Sequence, residues 1–237
     1  MSFTHFRPDV GVLFVRGRDA VSFIDGLSTN HIPNTPGSAL RTVFTDRAAK
    51  VIAVATVMVR EEGVVLLVHR EQWHALLDHL TPRQLGQDVA MLDLSDRNHV
   101  VYRTGSHGSP AGTWQTEEGV TEARVHHDLS ILVVAASSNA AHAQDHEAWT
   151  AWRVANRWPE VGLEITSKHH PYACGLESLV HENKGCYLGQ EVLTRMRSRG
   201  KTGWVLIEGL TEDIPDNRIT TSHEGRSLAI VRTSEVQ

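Results

Sequence analysis

Residues 183–191 read Asn-Lys-Gly-Cys-Tyr-Leu-Gly-Gln-Glu and hold Cys186, one of two cysteines in a chain of 237 residues. Lys184 lies two positions before the thiol, and a glycine stands on each side, Gly185 and Gly189. A helix-forming stretch, 190–196, follows directly. A thiol just ahead of a helix start feels the positive end of the helix dipole and its free N–H groups. A nearby ammonium acts in the same direction, so these surroundings favour thiolate and a reactive cysteine. The other reading is a tight glycine turn around a small buried residue, since free cysteine often packs as a small hydrophobe.

Other groups near this loop can also do chemistry. Lys184, Arg195, Arg197, Arg199 and Lys201 form a basic run with only Glu191 as counter-charge. They read either as a solvated helix end, with Glu191 and Arg195 paired at i, i+4, or as an anion site. His169, His170, Cys174, His181 and Cys186 are zinc-type ligands, but their spacing matches no metal motif, so loop histidines are expected. Trp149, Trp152 and Trp158 offer flat aromatic faces, although Trp149 and Trp152 at i, i+3 suit a buried helix face better. Glu224 and Gly225 suit a hairpin turn better than acid–base work with His223. Neither a Walker-type phosphate loop nor a Gly-x-Ser-x-Gly elbow occurs.

Elements able to position these groups follow from periodicity. Strand-like 10–15 leads into a helix over 18–27, with Ala20, Phe23, Ile24 and Leu27 on one face. After a turn at 34–37 come strands 40–45, 50–60 and 64–68, the last two forming a hairpin across 61–63. The spacing of Trp73, Leu76, Leu77 and Leu80 predicts a helix over 70–80, ended by Pro82, and then a strand at 89–94. The order over 40–94 implies a compact unit with an antiparallel sheet. Further on, 104–110 and 117–119 read as loops, 130–135 as a strand, 142–158 as a helix stopped by Pro159, and 165–183 as irregular. Short strands at 203–210, 218–221 and 227–232 close the chain. Net charge is −5, which speaks against a general nucleic-acid binder but leaves room for a local basic patch. Two cysteines make no disulfide framework, no leader pattern opens the chain, and no apolar run approaches a membrane span, so a cytoplasmic protein is expected.

Lys184, Gly185, Cys186, Tyr187, Gly189, Gln190, Glu191 and Arg195 stand at the spacing of the signature of the YgfZ-type folate-binding proteins, which this chain resembles. Those proteins are relatives of the glycine-cleavage aminomethyltransferase that act in iron–sulfur cluster assembly and tRNA modification. Residues 15–30 (Val15, Gly17, Arg18, Asp19, Ala20, Phe23, Thr29, Asn30) and 153–165 are similar to two further family segments. The resemblance implies an α+β fold around a central folate pocket. It comprises a split first domain (1–39 with 96–200), an inserted ferredoxin-like domain (40–95) and a small C-terminal β-barrel (201–237). It also implies tetrahydrofolate as cofactor and Cys186 as the key thiol, helped by Lys184 and open to transient iron–sulfur contact. Gly185 and Gly189 would shape the loop, Gln190 and Glu191 would fix the helix start, and Arg195 would orient Glu191 or bind an anion. Implied partners are iron–sulfur assembly proteins or cluster-dependent enzymes, with neither a membrane nor direct nucleic-acid binding. Three departures matter. The aminomethyltransferases carry an aspartate on the strand that here reads Ala53, Val54, Ala55, Thr56, which weighs against one-carbon transfer, the alternative function. The turn before that strand lacks the usual glycine, reading 46–50 as Asp-Arg-Ala-Ala-Lys, and Thr29-Asn30 is followed by His31. Only a short tail follows the cysteine motif, so the barrel is expected to be reduced or open.

Overall fold

A computed structural model describes residues 2–105, 110–138 and 143–236. The start of the helix expected at 142 and most of the loop expected at 104–110 lie outside the described residues. In chain order the main elements are β1 (Thr4–Phe6), β2 (Val10–Arg16), α1 (Ala20–Leu27), β3 (Ala39–Thr45), β4 (Val51–Arg60) and β5 (Gly63–His69). Next come α2 (Arg70–Leu80), β6 (Ala90–Asp93), β7 (Asn98–Thr104), β8 (Thr113–Glu117), β9 (Val120–His126), β10 (Leu129–Ala135) and α3 (His146–Ala155). The last are α4 (Gln190–Ser198), β11 (Trp204–Leu210), β12 (Ile219–His223) and β13 (Arg226–Arg232).

The first sheet runs β3-β4-β5-β2-β6, all antiparallel. Leu13 of β2 faces Leu66 of β5, and Val15 faces Met91 of β6, so this sheet draws on both sides of residue 39. Strands β4 and β5 are almost continuously apolar because both faces are covered. On one face, α1 and α2 press Phe23, Ile24, Trp73, Leu76 and Leu80 onto Leu13, Val15, Val57 and Leu66. On the other, Val10, Val12, Met58 and Leu67 meet Val100, Ile131 and Val133 of the second sheet. Helix α2 starts where the sequence places it: the His69 ring accepts the Glu71 N–H and caps it.

The second sheet has the order β1-β7-β10-β9-β8. Its β8–β9 hairpin turns at the loop expected over 117–119, but its strands carry no sequence signal. Both strands are largely polar and half-exposed, so no apolar run announces them. Their turn residues, Glu118 and Gly119, both take positive φ (50° and 80°), the geometry of a two-residue hairpin turn.

The third sheet, β11-β13-β12, is a three-stranded antiparallel sheet and not a closed barrel. It packs Leu206, Leu228 and Ile230 on Val154 of α3. A buried polar bridge reinforces that contact: Arg153 donates to Glu164 (2.9 Å) and to the Thr221 hydroxyl (2.8 Å). Glu164 accepts in turn from Thr220 and Thr221, both at 2.6 Å. No helix among the described residues is long and apolar enough to cross a membrane.

Candidate functional site

The cysteine loop is moored at both ends. Gly189 takes φ +83° at the start of α4, and a Cβ there would lie 2.6 Å from the Asp46 carbonyl oxygen. Only glycine fits that position, against the β3–β4 turn. Ala49 in the same turn takes φ +61°, the left-handed conformation that favours glycine. The Thr45 hydroxyl donates to Leu188 O at 2.6 Å, and the Gln190 amide reaches back to Lys184 O at 3.2 Å. Gly185 differs: its φ is not positive and its Cβ position faces open space, so it does not set the loop shape.

Lys184 has a different task from the expected one. Its ammonium, 1% exposed, donates to the carbonyls of Asp25 (2.5 Å), Ser28 (2.8 Å) and Asn30 (2.9 Å), and lies 3.3 Å from the Asp25 carboxylate. These carbonyls stand at and just beyond the C-terminal end of α1, where a cation is well placed, and the Asp25 carbonyl also accepts the Ser28 N–H. Burial pushes the Lys184 pKa down, and Asp25 opposes that shift. Lys184 therefore ties the loop to α1, and no hydrogen bond joins it to Cys186 among the described residues. Tyr187 packs with Ala49, Tyr172, Val180 and Leu193, and burial pushes its hydroxyl up to about 12. Cys186 is exposed and open to a partner. Glu191 and Arg195 are also exposed, and among the described residues neither makes an ion pair. Arg197 instead pairs with Glu182 at 3.4 Å and donates to Val180 O.

A cleft lies elsewhere, between the ends of the first two sheets and the segment after α3. Its inner part, a cavity of about 40 Å³, is lined by Arg7, Arg41, Thr56, Tyr102, Trp158 and Glu160 among others. An outer part of about 420 Å³ shares Arg41, Trp158 and Pro159 and adds His126, Asn156 and Arg157. Cys186 lines neither part. The Arg41 guanidinium lies 4.0 Å from the Trp158 ring centroid. Among the described residues it makes no ion pair or hydrogen bond, and burial pushes its pKa down to about 10. Arg157 holds a positive φ of 48° at the outer rim. The Tyr102 hydroxyl is pushed up by burial.

Behind the cleft, Arg7 clamps two carboxylates, Asp9 at 2.6 Å and Glu160 at 2.7 Å. His69 contacts Asp9 at 2.9 Å, and the Trp149 indole donates to Glu160 at 2.8 Å. Burial pushes the Asp9 carboxyl up, but hydrogen bonds from Arg7 and His69 outweigh it and hold the group well below the usual range. Asp9, His69 and Glu160 come close enough to suggest a metal site. Their bonding argues against it. The His69 Nδ1 accepts the Glu71 N–H, so the proton sits on Nε2 and goes to Asp9, leaving no free ring lone pair. The histidines and cysteines of 169–186 do not converge either. Burial pushes the Cys174 thiol up to about 12, and His170 is engaged by Ala173 and Thr202. Trp149 and Trp152 stack in the core, ring centroids 5.3 Å apart, and Trp158 alone of the three lines the cleft.

Sequence reasoning missed most of this cleft. Arg7, Arg41, Tyr102 and Glu160 lie in separate elements and form no local motif. The one available signal was Trp158-Pro159-Glu160, an aromatic and a carboxylate around a helix-stopping proline.

No family model matches the chain. A stretch of it is 31% identical over 75 residues to the tRNA-modifying protein YgfZ of Aliivibrio fischeri strain ES114, and 29% identical over 75 residues to that of strain MJ11. The match covers 30% of this chain and 24% of each relative, so it spans about a quarter of their length. Among solved structures, the glycine cleavage system aminomethyltransferase T from Bartonella henselae superposes with a TM-score of 0.81, at 11% identity. That match covers 98% of this chain and 79% of the other. The chain therefore has the aminomethyltransferase fold.

Proposed function

We propose that this chain is a cytosolic folate-binding accessory protein that supports assembly or repair of iron–sulfur clusters and affects tRNA modification indirectly. The observation that carries the folate part is the Arg41–Trp158 wall of the cleft. Arg41 is half-buried beside the indole and makes no ion pair among the described residues, and an anionic ligand supplies a charge-assisted partner. Tetrahydrofolate joins a flat heterocycle to a carboxylate tail. The Trp158 face suits the ring, and Arg41 and Arg157 suit the carboxylates. Bound tetrahydrofolate would carry a one-carbon unit; the residues of this chain would bind and orient it. Tetrahydrofolate should therefore quench indole emission saturably, and W158F should lose most of that quench. Equal quenching in W158F would remove Trp158 from the site.

The aminomethyltransferase reading is weaker. Val54 and Thr56 line the cleft on the strand that carries the aspartate in the enzymes. The nearby carboxylates, Asp9 and Glu160, are already engaged by Arg7 and by His69 or Trp149. Neither is free to move a proton. Methylene-tetrahydrofolate should not form from a carrier-bound aminomethyl group; its formation would revive the enzyme.

Cys186 is the proposed working thiol, as an exposed ligand or nucleophile for an iron–sulfur partner. In cells, C186A should lower the activity of a cluster-dependent enzyme. Unchanged activity would sink the thiol-centred part and leave the folate part standing.

A further inference from the structure

Charge on this molecule is segregated. Arg47, Lys50, Lys168, Arg195, Arg199 and Lys201 belong to three segments far apart in sequence, in a chain of net charge −5. The fold gathers those segments around α4. Gly189, at the helix start, sits on the turn that carries Arg47 and Lys50. The Lys50 ammonium donates to Lys168 O at 2.7 Å, and Val51 N donates to His169 O at 2.9 Å. His170 contacts Thr202 O at 2.8 Å, beside Lys201. Helix α4 itself packs Leu193, Val192 and Met196 inward against Ala49 and Tyr172, which leaves Arg195 and Arg199 outside. No salt bridge engages any of the six cations among the described residues, whereas Arg197 on the same helix is paired. Of the carboxylates beside these segments, Asp46 is turned onto its own loop, where it accepts from the N–H groups of Ala48 and Lys50, and Glu182 pairs with Arg197. Glu191 on α4 is exposed.

We propose that this face binds the sugar–phosphate backbone of a nucleic acid. The face lacks what a protein partner would need. Among the described residues, the exposed large hydrophobics (Leu85, Leu92, Leu163, Leu210 and Val236) all lie outside these segments. A stable protein interface places apolar and aromatic side chains at its centre. A phosphate backbone needs only spaced cations on long side chains, and contacts of that kind fix position without reading sequence. The exposed Cys186 lies three residues before Gly189, on the same moored loop. The inference is independent of the folate cleft, which shares no residue with it.

The test is fluorescence anisotropy with labelled tRNA and with labelled duplex DNA, each over a range of salt. Binding to either supports the proposal, and the ratio of affinities names the source of the backbone. The affinity should fall steeply with salt. The triple variant R195E/R199E/K201E should bind at least about tenfold more weakly and flatten the log–log salt slope by about 2 to 3. R47E/K168E, on two other segments, should also weaken binding, with circular dichroism confirming that both variants fold. Absence of binding to both nucleic acids, or unchanged binding in either variant, overturns the proposal. So does competition by polyglutamate at equal charge concentration, which would make the face a dock for an acidic protein.

Discussion

Residue identity in the signature has two different meanings here. Lys184, Gly189 and Gln190 hold the loop, whereas Gly185, Cys186, Glu191 and Arg195 stay outside and unconstrained by packing. Replacing Lys184 with methionine strands the carbonyls of Ser28 and Asn30 and should cost about 2–3 kcal/mol, read as a lower midpoint in urea. A midpoint within error of the parent would return Lys184 to the thiol. The two glycines should also separate. G189A, with a 2.6 Å clash and φ +83°, should lose on the order of 2 kcal/mol or more, whereas G185A should be nearly neutral. Spacing alone treated these glycines alike, because backbone conformation and the neighbouring turn are not written in the motif. The same is true of Lys184. Its closeness in sequence to Cys186 suggested a partner, but its long stem reaches α1, 159 residues away in the chain.

Elements with one strong signal were legible. Helix α2 spans 70–80 as its apolar spacing predicts, and β4, β5 and the Glu224-Gly225 turn are where the sequence places them. Both Glu-Gly turns take the same positive-φ form. The strands around the one at 118–119 give no sequence signal because they are polar and lie at a half-exposed sheet edge. Strand β1 is only three residues long and carries no pattern at all. The C-terminal sheet shows how a reduced element is kept in place. Arg153 of α3 spans to Glu164 and Thr221, with Glu164 fully buried. R153M leaves that carboxylate unpaired and should destabilise by about 3–5 kcal/mol. Thermal unfolding would show it, with the signal of Trp204 on β11 lost at least as early as that of the core. A change below about 1 kcal/mol would mean that apolar packing on Val154 holds the sheet without the bridge.

At the scale of the whole molecule, acid should loosen the junction of β1 and α3. His5, 3% exposed, stacks on Trp149, and burial together with the Arg7 charge pushes its pKa down to about 4. The unfolded chain binds that proton near pH 6.5. This share of stability is therefore complete above about pH 6.5 and is lost as pH falls toward about 4. H5F should flatten the decline in that window, and an unchanged pH profile would assign it to other groups. The cleft also exists only at this scale. Val54 and Thr56 come from one hairpin, Arg41 from its neighbour strand, Tyr102 from a second sheet and Trp158 from the end of α3. No window of sequence contains them together, so the family resemblance could imply a pocket but could not say which residues line it. The most direct test of the account is calorimetric titration of the purified protein with tetrahydrofolate, beside R41A. Saturable binding that R41A weakens by about tenfold or more is the expected result, the loss of one charge-assisted contact. A flat titration of the parent protein, or equal affinity in R41A, would contradict it.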